Sequence, residues 1–163
     1  MVATKVPDVD PRLAAELVRA ARRLGHNPAD ADDLAQECML AYSKGDFQGR
    51  SSLRTWLYRV LWNKHVDLLR SRRSPPLRIE TASGPELGKD DMKGLVREAL
   101  DRLPDLQRAV LVLRYFEGLP YGELAEVLDR PEGTLHADCF RALEALYEIL
   151  ARKHGIEKVK EWL

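Results

Sequence analysis

Residues 71–92, SRRSPPLRIETASGPELGKDDM, interrupt a chain that elsewhere repeats its apolar residues at helical spacing. Pro75-Pro76, Ser83-Gly84-Pro85 and Gly88 lie too close together for any helix to run through them, so the segment reads as a linker. That break limits the fold. A chain of 163 residues so divided has two short helical flanks, each able to bury only a small core of its own. We place a first domain at residues 1–73, a linker at 74–92 and a second domain at 93–163, and expect modest stability or support from a partner.

The flanks carry the helical period. Leu13, Leu17, Ala20, Ala21 and Leu24 mark a first amphipathic helix that Gly25 ends. Asn27-Pro28 reads as an N-cap followed by proline at the first helical position. The helix it opens has Leu34, Cys38, Met39 and Tyr42 on one face and Asp30, Asp32, Asp33 and Glu37 on the other. SKGDFQGRSS is a loop by composition, and a long helix follows from about Leu53 to Leu69. Beyond the linker come an amphipathic helix through Leu103, the apolar helix LQRAVLVLRYF closing at Glu117-Gly118, the short helix YGELAEVL and a longer last helix. Asp129, Pro131 and Glu132 have the spacing of a capping box for that last helix. A short helix, a tight turn and a longer helix make a helix-turn-helix unit. No segment alternates as a strand does, so the expected fold is all-α, two small helical domains.

Charge separates the halves. The chain is neutral overall, yet residues 50–73 hold seven Lys/Arg against one acid, and residues 75–163 hold 13 basic against 17 acidic residues. The basic stretch interleaves Trp56, Tyr58 and Trp62. Cations with aromatic faces grip a phosphate backbone and stack on unpaired bases. The same aromatics also fall at core spacing with Leu53, Leu57, Val60, Leu61 and Leu68, so a packing role for Trp56 or Trp62 stays open.

Other classes find no support. No run of about 18 apolar residues spans a membrane, and MVATKVPDVDP lacks a signal core, so a cytoplasmic location is expected. Cys38 and Cys139 sit on apolar helix faces as small hydrophobes. His26, His65, His136 and His154 are scattered without metal-ligand spacing, and no nucleophile–base pair or phosphate loop suggests an enzyme. No cofactor or metal is expected.

Two blocks, NPADADDLAQECMLAY…FQGRSSLRTWLYRVLWNKHVDLLRSRR and ALDRLPDLQRAVLVLRYFEGLPYGELAEVLDRPEGT…FRALEAL, together resemble regions 2 and 4 of the extracytoplasmic-function sigma factors. The resemblance covers about 120 of the 163 residues and implies a bacterial initiation factor that is not itself an enzyme. It implies that Asp33, Leu34, Gln36 and Glu37 dock on core RNA polymerase at the β′ clamp, and that the second domain meets the β flap. An acidic and amide-bearing face suits a basic helical partner, although a plain solvated face has the same composition. The resemblance further implies that Phe47, Ser52, Trp56 and Asn63 read the −10 element of promoter DNA as it is melted. Arg54, Arg59, Lys64, Arg70, Arg72 and Arg73 would hold phosphates and fix position rather than sequence. An anti-sigma protein is a second implied partner, and the cytoplasmic nucleoid the expected place of action.

The recognition helix departs from the family pattern. After Gly133-Thr134 the family has Val, a cation, Ser and an Arg. This chain has Leu135, His136, Ala137 and Asp138. Among the basic contacts expected for a −35 element, at Thr134, His136, Ala137, Asp138 and Arg141, only Arg141 survives as a cation, and an Asp at this place repels phosphate. Two readings therefore compete: a working sigma factor with an unusual −35 contact, and a sigma-like module whose second domain binds protein. A plain duplex-binding repressor fits the acidic second half poorly.

Overall fold

The computed structural model describes residues 10–72 and 92–155. Arg73 and all of the expected linker except Met92 lie outside the described residues. Among the described residues every regular element is a helix.

In the first half, α1 (Pro11–Arg23) starts on Asp10, whose side chain accepts from the Arg12 amide at 2.9 Å. It ends in the way a glycine C′ residue permits: Gly25 has φ 109°, its amide bonds the Arg22 carbonyl, and the next amide reaches back to Ala21. α2 (Pro28–Ser43) is capped by Asn27, whose Oδ1 accepts from the Asp30 amide at 2.8 Å. α3 (Leu53–Ser71) is capped by Ser52, whose hydroxyl oxygen accepts from the Thr55 amide at 3.1 Å. α1 packs on α2 and α2 on α3, burying Leu17, Ala20, Ala21, Leu34, Cys38, Leu57, Tyr58 and Leu61.

The second half runs α4 (Met92–Asp101), α5 (Asp105–Leu111), a π-helical turn at Val112–Phe116, α6 (Tyr121–Leu128) and α7 (Glu132–His154). The uniform apolar helix expected over LQRAVLVLRYF is thus interrupted. The Glu117 amide bonds the Val112 carbonyl five residues back at 3.0 Å, which widens the last turn. The capping box expected at Asp129 does not form. Asp129 is instead the left-handed C-cap of α6 (φ 53°, ψ 53°), and α7 begins after Pro131 without a side-chain cap. Asp is one of the few residues with a Cβ that tolerates this conformation, and the geometry that turns the chain removes it from the cap.

The halves do not have separate interiors. One cluster of buried apolar residues runs from Leu17 through Leu57 and Leu100 to Leu124 and Leu135. α3 lies against α6, and α1 touches α4 and the π turn. Arg108 fastens this seam. This residue is 7% exposed, and its guanidinium donates to the carbonyls of Leu100 (2.8 Å), Asp101 (2.9 Å) and Leu103 (3.0 Å) around the α4–α5 turn and to Leu24 (2.8 Å) at the end of α1. A Cβ on Gly25 would come within 2.7 Å of that guanidinium, so this glycine serves both its own backbone angle and the passage of Arg108.

Candidate nucleic-acid and docking surfaces

The loop before α3 and the exposed face of α3 form one surface. Phe47 and Trp56 are half-buried, their ring centroids 5.4 Å apart, and Tyr42 closes the group at 6.0 and 6.4 Å. Packing thus fixes the two rings while part of each stays open to solvent. Arg59, Asn63 and Arg70 are exposed along the helix. A cleft of 370 Å³ beside Trp56 is lined by Gln48, Arg50 and Arg59, and by Glu126 from α6. Within the basic stretch, Tyr58 is fully buried and offers no stacking face. Trp62 is half-buried and lies on the buried His65 ring at 5.3 Å.

The other members of the expected strand-binding set are held by partners. Ser52 acts as the α3 cap, its hydroxyl donating to Thr55 Oγ1 at 2.9 Å. Lys64 pairs with Glu37 at 3.7 Å and so joins α3 to α2. Arg72 pairs with Asp30 at 3.0 Å. Arg54 bonds Glu16 at 3.1 Å and donates to the backbone carbonyl of Glu117 in the second half. Glu117, which sequence reasoning did not single out, has a carboxylate 5% exposed that accepts from the Tyr58 hydroxyl at 2.6 Å and from Arg23 at 3.1 Å. Its position at the end of an apolar run gave no signal, because the residues that satisfy it lie 59 and 94 positions away.

A second surface lies on α1 and α2. Asp33, Gln36 and Glu37 are exposed there, whereas Leu34 is 5% exposed and belongs to the core, because it falls on the stripe shared with Ala31, Ala35 and Cys38. Beside Gln36 runs a groove of 520 Å³ lined by Ala14, Val18, Asp32, Met39 and Leu40. Leu40 is 55% exposed. The acidic face therefore borders an apolar trough, a combination suited to an amphipathic partner that carries cations. Leu40, one turn beyond Gln36 and off the core stripe, was the signal available in the sequence.

The third surface is the start of α7. Thr134, His136, Ala137 and Arg141 are exposed. His136 stacks on Tyr121 at 3.7 Å, and Arg114 lies over the same Tyr121 ring at 4.5 Å. Asp138 does not project as a free acid. Its carboxylate is 14% exposed and sits between Arg130 (3.8 Å) and Arg141 (3.9 Å). The repulsion expected of Asp138 toward phosphate is thereby offset by two flanking cations, one of which, Arg130, lies in the turn before the helix.

Two buried groups belong to no surface. Burial pushes the Cys38 thiol up to about 12, which leaves it a packing residue. His26 Nε2 and His65 Nδ1 lie 2.6 Å apart in the interior. Burial lowers both, His65 to about 3, with His26 and Arg108 adding to its shift.

Comparisons with known proteins identify the family. The family model for sigma-70 region 2 matches residues 12–74, and that for sigma-70 region 4 matches residues 93–146. The RNA polymerase sigma-H factor of Pseudomonas aeruginosa is 34% identical, the match covering 78% of this chain and 77% of that protein. The ECF RNA polymerase sigma-E factor of Escherichia coli is 31% identical over 72% of each chain. Among solved structures, the sigma factor RpoE of Bartonella quintana in complex with the anti-sigma factor NepR superposes with a TM-score of 0.69 at 28% identity, over 85% of this chain and 92% of that one. CnrH, in complex with the cytosolic domain of CnrY, gives 0.66 at 29% identity, over 86% and 84%. With both regions matched in order, only helices as regular elements among the described residues and relatives alike over most of their length, the chain belongs to the sigma-70 family of transcription initiation factors, in its extracytoplasmic-function group.

Proposed function

We propose that the three surfaces divide the work of initiation as follows. The α1–α2 groove, lined by Asp32, Gln36, Met39 and Leu40, together with the exposed Asp33 and Glu37 of the same helix, docks on the β′ clamp of core RNA polymerase. The loop before α3 and its exposed face take the non-template strand of the −10 element. Phe47 and Trp56 stack on unpaired bases, Asn63 meets a base edge, and Arg50, Arg59 and Arg70 hold phosphates. Half of this assignment is electrostatic and half steric, and a single observation supports it best: the fixed Tyr42–Phe47–Trp56 group beside exposed arginines. The start of α7, flanked by Arg130 and Arg141, contacts the −35 element, and the rest of the second half meets the β flap. The division of labour follows the matched regions, residues up to about 73 acting as region 2 and those from 93 as region 4.

The chain is an initiation factor, and the polymerase supplies the chemistry. Its work is in the cytoplasm, on the nucleoid where the promoters are. Because RpoE of Bartonella quintana is held by an anti-sigma factor, an anti-sigma protein is also the expected regulator here. The test is transcription in vitro from fragmented bacterial genomic DNA by core polymerase, with and without this protein. New start sites that share a −10 motif are expected, and upstream bases that align at −35 support the α7 assignment. Core binding without any start site would refute the promoter reading.

A further inference from the structure

An acid on a helix that meets DNA should weaken the contact, and Asp138 stands in the first turns of α7. Its placement argues otherwise. The carboxylate is 14% exposed, and among the described residues its Oδ2 accepts no hydrogen bond. Two guanidiniums answer its charge, Arg130 at 3.8 Å from Oδ2 and Arg141 at 3.9 Å from Oδ1. The acid is thus turned away from the space a duplex would fill, while the side chains of Arg130 and Arg141 are 43% and 69% exposed. Arg130 comes from a rigid turn. Asp129 before it is left-handed (φ 53°), its own amide bonds the Ala125 carbonyl at 3.2 Å, and the ring of Pro131 after it fixes the next φ. With the backbone pinned, the freedom left to Arg130 is in its side chain, and that is what the carboxylate restrains. We propose that Arg130 is a −35 contact and that Asp138 is a positioning residue, which holds Arg130 and Arg141 as a two-pronged clamp without touching DNA itself.

This rests on the −35 assignment given above and changes which residues carry it. Arg130 lies outside the helix, and Asp138 leaves the contact set to act through its neighbours. A guanidinium has five N–H donors in a planar fork. One carboxylate at ion-pair range leaves most of them for a phosphate or the acceptor edge of a guanine. Long side chains that are ordered before binding lose less freedom on binding. Restraint of two forks favours sequences whose acceptors fall where the forks point, so Asp138 adds selectivity rather than raw attraction. An unpaired carboxylate would act in the opposite sense, lowering affinity for every duplex alike.

The experiment uses holoenzyme reconstituted from core polymerase and the full chain. The probe is a promoter duplex recovered by the transcription test above, with the bases around −35 randomised. Sequencing the bound fragments gives the preferred sequence, and binding to that duplex and to a scrambled one at several salt concentrations gives the preference and the salt slope. Arg130→Ala should lose about fivefold or more of the preference, and its salt slope should fall by about one. Asp138→Asn should lose about as much preference while its affinity for the scrambled duplex is equal to the parent's or higher. Asp138→Glu should keep most of the preference, and Arg130→Ala/Asp138→Asn should lose less than the two single losses multiplied. Circular dichroism and binding to core polymerase check the fold; if Asp138→Asn fails either, Asp138→Ser takes its place, and Arg130→Ala decides the contact by itself. Preference kept in Asp138→Asn, with affinity raised on both duplexes, overturns the positioning role and makes Asp138 a plain repulsive charge. Equal loss on both duplexes makes it structural and overturns that role too. Preference and salt slope kept in Arg130→Ala overturn the contact. A changed preferred base in Asp138→Asn, with Arg130→Ala like the parent, means that Asp138 reads the base itself, and the proposal fails. A parent holoenzyme that enriches no sequence at −35 overturns the α7 assignment and this proposal with it, an outcome distinct from all the others.

Discussion

Replacing Arg108 by Met keeps most of the side-chain volume and removes the guanidinium from the seam. Three of its four carbonyl partners, Leu24, Leu100 and Leu103, are bonded at buried sites, and the Asp101 bond is partly open to water. Each charge-assisted bond is worth about 1.5–3 kcal/mol net, and a buried carbonyl left unpaired costs about 1–3 kcal/mol. The bonds share one group and water reaches the turn, so the terms do not add in full. We expect a loss of about 4 kcal/mol, in the range found when one partner of a buried charged contact is removed. With a urea dependence of about 2 kcal/mol per M this lowers the midpoint by about 2 M, and at about 2–4 °C per kcal/mol the Tm falls by about 10 °C. Urea unfolding followed by far-ultraviolet circular dichroism measures it. Arg108→Lys keeps a charge but loses the planar fork and should lie between the two. A loss under about 1 kcal/mol for Arg108→Met at unchanged slope would refute the reasoning, because it would mean that the four carbonyls are satisfied without the guanidinium.

Gly25→Ala combines a φ of 109° with a Cβ 2.7 Å from the Arg108 guanidinium and should cost about 2 kcal/mol; in the Arg108→Met background the penalty should shrink, and a double-mutant cycle by urea unfolding reads that coupling. The buried His26–His65 pair should make the fold acid-labile. Both are held below their usual value, so the unfolded chain binds more protons and stability rises with pH from about 3 for His65 to the ordinary 6.5, by at most about 1.4 kcal/mol per pH unit for each histidine. His65→Gln should flatten that slope in urea titrations between those limits. Asn63→Ala should weaken promoter opening by about 1–3 kcal/mol while leaving core binding intact, measured by permanganate footprinting beside a polymerase pull-down; equal losses in both would make Asn63 structural. Asp33→Lys should weaken binding to core polymerase in competition with another sigma factor, and unchanged affinity would remove the acidic rim from the docking surface.

Much of this was legible because it is local. The helices after Asn27-Pro28 and Ser52 and the stop at Gly25 depend on a few neighbouring side chains, and the basic run at 50–73 is a property of consecutive residues. Pattern also marked the two family regions. Where local reading stopped, packing and capping supplied the rest. Leu34, read on the apolar face of α2 and carried into the docking set by the resemblance, lies in the core at 5% exposure. Ser52, which the resemblance placed at the DNA, also caps its own helix through the Thr55 amide. The π turn at Val112–Phe116 is invisible in a uniformly apolar run, since its widening depends on where Glu117 must arrive.

The chain order of residue types therefore determined the all-helical class, the approximate placing of most helices and the separation of a basic from an acidic half. Helical periodicity and net charge need only sequence spacing. Only the tertiary structure decided that the halves share one core, that Asp138 lies between Arg130 and Arg141, and that Glu117 is buried against Tyr58 and Arg23. Those outcomes turn on which carboxylate meets which guanidinium across distances of dozens of residues, and a buried charge is stable only where folding supplies its partner.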